Sequence, residues 1–414
     1  MRIALRGLVV LAVQLAAFGG PVAAPASAGE QSFEQVQRGK ALVDAGDCMA
    51  CHTQDQKKPF AGGRPIKTPF GTLYSPNITP DRETGIGAWS DADFYRAMHE
   101  GVGPGGARLY PAFPYPYFTK MKHDDVLAVR AYLNTLEPVS SPRPKNKLQW
   151  PLNHRIFMRG WDMLFFTPGT FTPRTDKSDE WNRGAYLVEG PGHCGACHTP
   201  KNFLGADKAA EALDGGKLQN WFSPNITDDQ HLGVGSWTAD EIAEYLKTGR
   251  NVHSGAAALM SEVVRDSTSK MSDSDLHAMA IYLKDVNGKS GTSPSKVDQG
   301  TNDTGRTIYA DSCSACHRSN GSGVPHMFPP LAKNSNVQSS DPTTVIRMIL
   351  QGARTAVTDQ RPTASSMPSY DWKLGDTEVA AVATYVRNAW GNAAPVVTAD
   401  AVKSLRQTLK ATTP

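Results

Sequence analysis

All six cysteines of this chain fall in one pattern, used three times. The copies are Cys48-Met49-Ala50-Cys51-His52, Cys194-Gly195-Ala196-Cys197-His198 and Cys313-Ser314-Ala315-Cys316-His317. Two thiols at i and i+3 share one face of a helical turn, where they can form thioethers to the two vinyl groups of a haem. The histidine that follows is then placed to ligate the iron through an imidazole nitrogen. A single copy could arise by chance or be half of a zinc site. Three copies at domain-sized intervals leave no cysteine to complete a tetrahedral zinc site or to form a disulfide. The pattern therefore reads as three covalently bound haem c groups, with His52, His198 and His317 as iron ligands.

A second axial ligand decides whether such an iron transfers electrons or binds small molecules. Methionine opposite histidine closes the iron and raises its potential. Met367-Pro368 lies in a loop twelve residues before Val379 of the last helical pattern, so Met367 is the expected ligand of the third haem. Met260, in a Gly/Ala-rich loop sixteen residues before Leu276, is expected to serve the second. For the first, aligning Val126 with Val379 sets Phe113-Pro114 opposite Met367-Pro368, and phenylalanine cannot ligate iron. Met121 is the favoured candidate there, through a rearranged loop, although it aligns with Met271, which is not expected to ligate. The alternatives are another group, with Met98 and His99 in reserve on a helix, or five-coordinate iron. Met158, Met163, Met279 and Met348 are expected to fill core or interfaces. His154, His193, His231, His253, His277 and His326 read as surface or hydrogen-bonded residues.

Elements that position these groups also repeat. A glycine followed by apolar residues precedes each site, in Arg38-Gly39-Lys40-Ala41-Leu42-Val43, Arg183-Gly184-Ala185-Tyr186-Leu187-Val188 and Gly305-Arg306-Thr307-Ile308-Tyr309. This suits a helix whose backbone closely approaches another. A helical pattern ends each copy, over Asp124–Leu136, Asp273–Val286 and Asp376–Trp390, aligned on Tyr132, Tyr282 and Tyr385, with acids in the first turn. The expectation is an all-α fold of three tandem small cytochrome c domains, 29–137, 179–286 and 301–394, in which haem supplies much of each thin core. Copies one and two also share Ser75-Pro76-Asn77-Ile78-Thr79 and Ser223-Pro224-Asn225-Ile226-Thr227, followed by Trp89 and Trp237 and by helix caps at Ser90 and Thr238. These loops read either as haem-edge loops whose Asn77 and Asn225 bond a propionate by side chain or backbone, or as a repeated turn with a packed tryptophan. The third copy has Phe328-Pro329-Pro330-Leu331-Ala332 instead.

Residues 1–28 have the form of a secretory leader, with Arg2 and Arg6, an apolar run from Leu8 to Phe18, and Ala26-Ser27-Ala28 at the cleavage point. An uncleaved anchor helix is the alternative, but Pro21 and Pro25 interrupt it. A leader agrees with haem attachment outside the cytoplasm, so the expected place is the periplasm. Of 43 Lys and Arg, two lie in the leader, leaving 41 against 40 Asp and Glu. That balance does not point to nucleic acid. No later stretch has 18 consecutive apolar residues, so membrane contact is expected to be peripheral. The Pro- and aromatic-rich linker 138–178 should pack between copies one and two or form a docking surface. Residues 287–300 read as a flexible linker. The tail 395–414 could lie on a membrane or partner, or cap the third domain as a solvated helix.

Two further stretches carry a family likeness: Leu109-Tyr110-Pro111-Ala112-Phe113-Pro114-Tyr115, and Glu180 to Gly190 followed by Gly192-His193-Cys194. With the three attachment sites, they make nearly the whole mature chain resemble the membrane-associated triple-haem cytochrome c subunits of bacterial periplasmic dehydrogenases. Those subunits serve quinoprotein alcohol dehydrogenases and gluconate, sorbitol and aldehyde dehydrogenases. The resemblance implies an electron-transfer subunit, not a catalyst. It would take electrons from a catalytic dehydrogenase subunit of pyrroloquinoline quinone, flavin or molybdopterin type, and pass them towards membrane ubiquinone or a terminal oxidase at the outer face of the cytoplasmic membrane. Several members of the group have methionine where this chain has Phe113. Two rival readings remain at this point. One is a haem enzyme with an open first haem, reducing peroxide for example; the other is a cytochrome subunit of a terminal oxidase, which would normally carry a membrane anchor.

Overall fold

The computed structural model describes residues 32–288 and 299–412. The leader 1–28 and most of the 287–300 linker lie outside the described residues.

Three helix pairs organise the chain. Phe33–Ala45 crosses His123–Leu133, Asp179–Glu189 crosses Asp273–Leu283, and Gln299–Ser312 crosses Asp376–Val386. Each crossing is made at the expected glycine. A Cβ added to Gly39 would lie 1.9 Å from the Ala128 carbonyl oxygen, one on Gly184 would lie 1.9 Å from that of Ala278, and one on Gly305 would lie 2.3 Å from that of Ala381. The Cβ atoms of Tyr132, Tyr282 and Tyr385 stand beside the same three glycines. Only a residue without a side chain lets two helix backbones come this close.

The closing helices begin within a residue of where their acidic first turns place them. They end sooner than the sequence pattern, at Leu133, Leu283 and Val386. The chain then turns, so the apolar residues beyond belong to a turn. The third opening helix starts at Gln299, inside the stretch assigned to the linker. Ser90 and Thr238 cap the helices Asp91–Glu100 and Ala239–Thr248, each with a reciprocal capping box.

The fold is all-α apart from short antiparallel pairings that the helical periodicity did not show. Pro65–Thr68 pairs with Gly71–Tyr74, which also takes Lys147–Leu148. Gly216–Leu218 pairs with Trp221–Ser223, and Ala353–Arg354 with Ser366–Met367.

Each helix pair has its own apolar cluster, and each cluster includes the first cysteine of its motif. The 138–178 stretch is ordered and ties the first two units together. Its helix Phe157–Phe165 buries Met158 and Asp162. The Asp162 carboxylate accepts from the Tyr115 hydroxyl at 2.5 Å and from Arg108 at 3.0 Å. Further on, the Phe171 amide donates to the Lys120 carbonyl at 2.9 Å, and its ring packs on the second cluster. Asp125 of the first unit is buried and receives both Arg38 and the hydroxyl of Tyr186 from the second.

The tail forms a helix, Ala399–Thr412, whose Val402 and Leu409 are buried in the third cluster. Arg406 reaches back to Asp371 and Asp376. Its apolar stripe is spent on this chain, so the tail caps the third unit and does not present that face to a membrane.

Candidate haem sites

All three Cys-x-x-Cys-His motifs sit on a short helical turn directly after their opening helix. These turns are Cys48–His52, Gly195–His198 behind Cys194, and Ser314–His317 behind Cys313. The two thiols of each therefore share a face, and all six are free of disulfides. Burial pushes the thiols of Cys48 and Cys194 up to about 12, and those of Cys51, Cys197 and Cys313 up to about 11. None of these five is a ready thiolate at neutral pH.

The three histidines are held in the same way. The Nδ1 of His52 lies 2.8 Å from the Pro76 carbonyl oxygen, that of His198 2.7 Å from Pro224, and that of His317 3.0 Å from Pro329. A carbonyl can only accept, so Nδ1 carries the proton and the Nε2 lone pair is left to ligate a metal. Burial pulls all three imidazoles below the ordinary histidine value, overriding the opposite pull of the carbonyl bond. They are neutral at physiological pH, as a ligating imidazole must be.

The proline carbonyls explain the repeated loops. Asn77 does not hold a free amide for a propionate. Its Oδ1 accepts from the Thr79 amide at 2.9 Å and hydroxyl at 2.8 Å, and its Nδ2 donates to Thr84 at 3.0 Å and to the Val139 carbonyl at 2.7 Å. Asn225 repeats this with Thr227 at 2.7 and 2.6 Å and with Asp214 at 3.2 Å. Both side chains help to fix the loop that aims Pro76 or Pro224 at a histidine, which favours the repeated-turn reading for the side chains. Trp89 and Trp237 pack against the first and second clusters, Trp237 stacking on His253 at 4.9 Å. Asn77→Ala is expected to destabilise the haem-loaded protein by about 1–3 kcal/mol, because buried partners lose their bonds. Denaturant unfolding followed by haem absorbance would check this, with an unchanged midpoint as the contrary result.

The candidate second ligands occupy different surroundings. Met367 lies in a short strand, half-buried against the third cluster, on which Cys313 also packs. Met260 is half-buried against the second cluster, on the helix Ala258–Asp266. Met121 is fully buried, two residues before its closing helix. Met271 and Leu374 fill the same slot in the other two units and are also buried. A slot that accepts leucine is a packing slot, so the placement of Met121 supports a core role. Met98 is core as well, and Phe113 packs at the edge of the first cluster with its ring 5.4 Å from Phe118. Met158 and Met279 are buried as expected, but Met163 is exposed. Of the remaining histidines, His277 pairs with Glu180, His253 with Glu241 and His326 with Glu244.

A neutral, half-buried histidine with a free Nε2, two thiols on the turn before it, and a glycine-tyrosine helix crossing behind it together describe a c-type cytochrome. The family model for cytochrome c matches residues 36–137 and 303–390. Longer relatives narrow the class. The cytochrome c subunit of a quinone alcohol dehydrogenase from Gluconacetobacter polyoxogenes is 40% identical over 394 residues, covering 90% of this chain and 84% of its own. The gluconate 2-dehydrogenase cytochrome c subunit of Pantoea cypripedii is 39% identical over 90% of this chain and 89% of its own. The fructose dehydrogenase cytochrome subunit of Gluconobacter japonicus is 35% identical over 92% and 84%. The chain belongs to this family of dehydrogenase cytochrome c subunits, whose members carry covalently bound haem c.

Proposed function

We propose that this chain is the electron-transfer subunit of a periplasmic dehydrogenase complex. It carries electrons from a catalytic subunit towards membrane ubiquinone or a terminal oxidase, and catalysis resides in the partner. It holds three haem c groups in three tandem cytochrome domains, 29–137, 179–286 and 301–394. The attachment cysteines are Cys48 and Cys51, Cys194 and Cys197, and Cys313 and Cys316. His52, His198 and His317 supply one axial nitrogen each. Each bound haem supplies reversible one-electron chemistry at its iron.

The observation that carries the reading is that the second unit touches both neighbours at its haem-binding segments. Arg64, which donates to the Ala50 carbonyl inside the first motif at 2.5 Å, pairs at 2.6 Å with Glu262, two residues after Met260. The stretch before Met260 meets the third unit, where the Ala356 amide donates to the Ala256 carbonyl at 3.0 Å. Met260 itself packs with Ala256 and Ala356. The segment around Met260 thus touches both neighbouring units, an arrangement that suits a relay.

Met260 and Met367 are the proposed thioether ligands of the second and third haems. Met121 reaches the first iron only if its core slot opens. Met121→Leu is accordingly expected to leave the far-red thioether-to-iron band intact. Loss of one haem's share of that band would make Met121 the ligand.

The partner is of the pyrroloquinoline quinone, flavin or molybdopterin type, and the complex sits at the outer face of the cytoplasmic membrane. Purification from membranes in mild detergent tests the assignment. A co-purifying dehydrogenase-sized subunit is the expected result. A cytochrome that comes through alone and turns over peroxide would replace the relay with the haem-enzyme reading.

A further inference from the structure

One outer face of this molecule lacks the polar cover a helix in water normally carries. On the linker helix Phe157–Phe165, Met158 and Asp162 turn inward. The opposite face, at i, i+1, i+4, i+7 and i+8, is Ile156, Phe157, Gly160, Met163 and Leu164. Met163 is 88% exposed and Leu164 71%. A second-unit loop extends the face with Phe203, which is 87% exposed, and Leu204. The Trp161 indole donates to the Leu204 carbonyl at 3.1 Å, which fixes that loop beside the helix. Across the loop, Gly205 meets the ring of Phe70, whose carbonyl accepts from the Gln149 amide at 3.1 Å. The next residue, Trp150, is 80% exposed. These contacts bring the segments that carry the exposed residues beside one another, so the apolar side chains are not scattered singly over the surface.

The charges around the patch select its occupant. Arg143, Lys145, Lys147 and Arg159 are all exposed on the same linker. Between residues 138 and 175 the one acid is Asp162, which is buried and already bonded to Arg108 and Tyr115. This stretch therefore presents apolar and aromatic side chains together with those four exposed bases and no exposed acid, and the nearby Asp207 and Glu211 of the second-unit loop are paired with Lys201 and Lys208. That combination matches an anionic lipid surface, where the rings and thioether enter the headgroup boundary and the bases meet phosphates. Among the described residues no helix is long and apolar enough to cross a membrane, so contact made by these residues is lateral.

We infer that the face formed by Ile156–Phe165, Phe203–Leu204 and Trp150 docks this subunit laterally on anionic phospholipid. The inference deepens the membrane-associated reading above by naming the surface, and it rests on that reading for location alone. The purified, haem-loaded cytochrome would be sedimented with vesicles of phosphatidylethanolamine and phosphatidylglycerol, and with vesicles of phosphatidylcholine. The triple variant Met163→Ser, Leu164→Ser, Phe203→Ser changes only exposed side chains, and its haem spectrum checks that it is folded.

Binding to the anionic vesicles that weakens with salt, and that falls at least about tenfold in the variant, is the expected result. Wild-type protein that stays in the supernatant, or a variant that binds equally well, overturns the inference. So does a variant that keeps vesicle binding but loses a co-purifying catalytic subunit, since the patch would then be a protein interface. Substrate-driven haem reduction in detergent is read separately, so failure of the lipid contact and failure of the electron-transfer assignment are distinguishable.

Discussion

Gly184→Val should largely unfold the second unit. The first carbon of the new side chain would fall 1.9 Å from the Ala278 carbonyl oxygen, and backbone cannot step aside as a flexible side chain can. The helices Asp179–Glu189 and Asp273–Leu283 must then separate, and they carry most of the second cluster. Overpacking of this kind costs about 1–3 kcal/mol where the core can adjust, and more where two backbones are in contact. The expected loss is at the upper end or beyond, a large part of the stability of a domain this size. Tyr186 lies on the displaced helix and bonds Asp125 of the first unit, so the loss also loosens the junction between units. Thermal unfolding followed by circular dichroism would show it as a low-temperature transition, with loss of that haem's native axial ligation while the haem stays covalently attached. Gly160→Ala is the control. Nothing lies within 4 Å of the added carbon, and alanine in a helix is favoured by roughly 1 kcal/mol. Equal melting curves for the two variants would mean that the helix crossing is not the structural centre of the unit.

Met367→Ala should remove the far-red thioether-to-iron band of one haem and leave the others. Alanine cannot ligate, so that iron becomes high-spin or takes up water, and its potential falls. The fold should survive, because Met367 lies at the edge of its cluster and the third core rests on Val379, Val382, Val386 and the tail helix. The same substitution at Met260 should act on a different haem, and the double variant should lose both contributions. If neither single variant changes the band, the ligand assignments fail for those units.

Much of the site was legible in the sequence because covalent chemistry leaves side-chain signatures. Two cysteines and a histidine at fixed spacing announced each turn, and Gly39, Gly184 and Gly305 announced each crossing. What stayed hidden was carried by backbone. The groups that orient the histidines are carbonyls, which any residue possesses. A signal was present nonetheless, since Pro76, Pro224 and Pro329 follow their histidines in all three copies. Asn77 and Asn225 looked like ligand-binding groups because an amide suits a propionate as well as it suits a turn. In the structure the Asn77 amide makes its bonds within the chain, and the Asn225 amide oxygen accepts from Thr227. Sequence alignment sets Met121 opposite Met271, and the structure adds Leu374 at the same place before the third closing helix, which supports a packing role. Met163 was expected to be filler because methionine usually is. Only the helix direction, fixed by Asp162 facing Tyr115 and Arg108, shows that it points outward. The tail reads as amphipathic, and an amphipathic helix does not declare whether its partner is a membrane or its own domain.

The most direct test of the central claim is a single anaerobic titration. The detergent-solubilised complex would be given the substrate of its co-purified catalytic subunit, and the reduced haem band compared with that after full chemical reduction. The account predicts that substrate alone reduces the haems of this chain, and that added ubiquinone analogue or a terminal oxidase reoxidises them. Haems that stay oxidised while the catalytic subunit turns over with an artificial acceptor would contradict it.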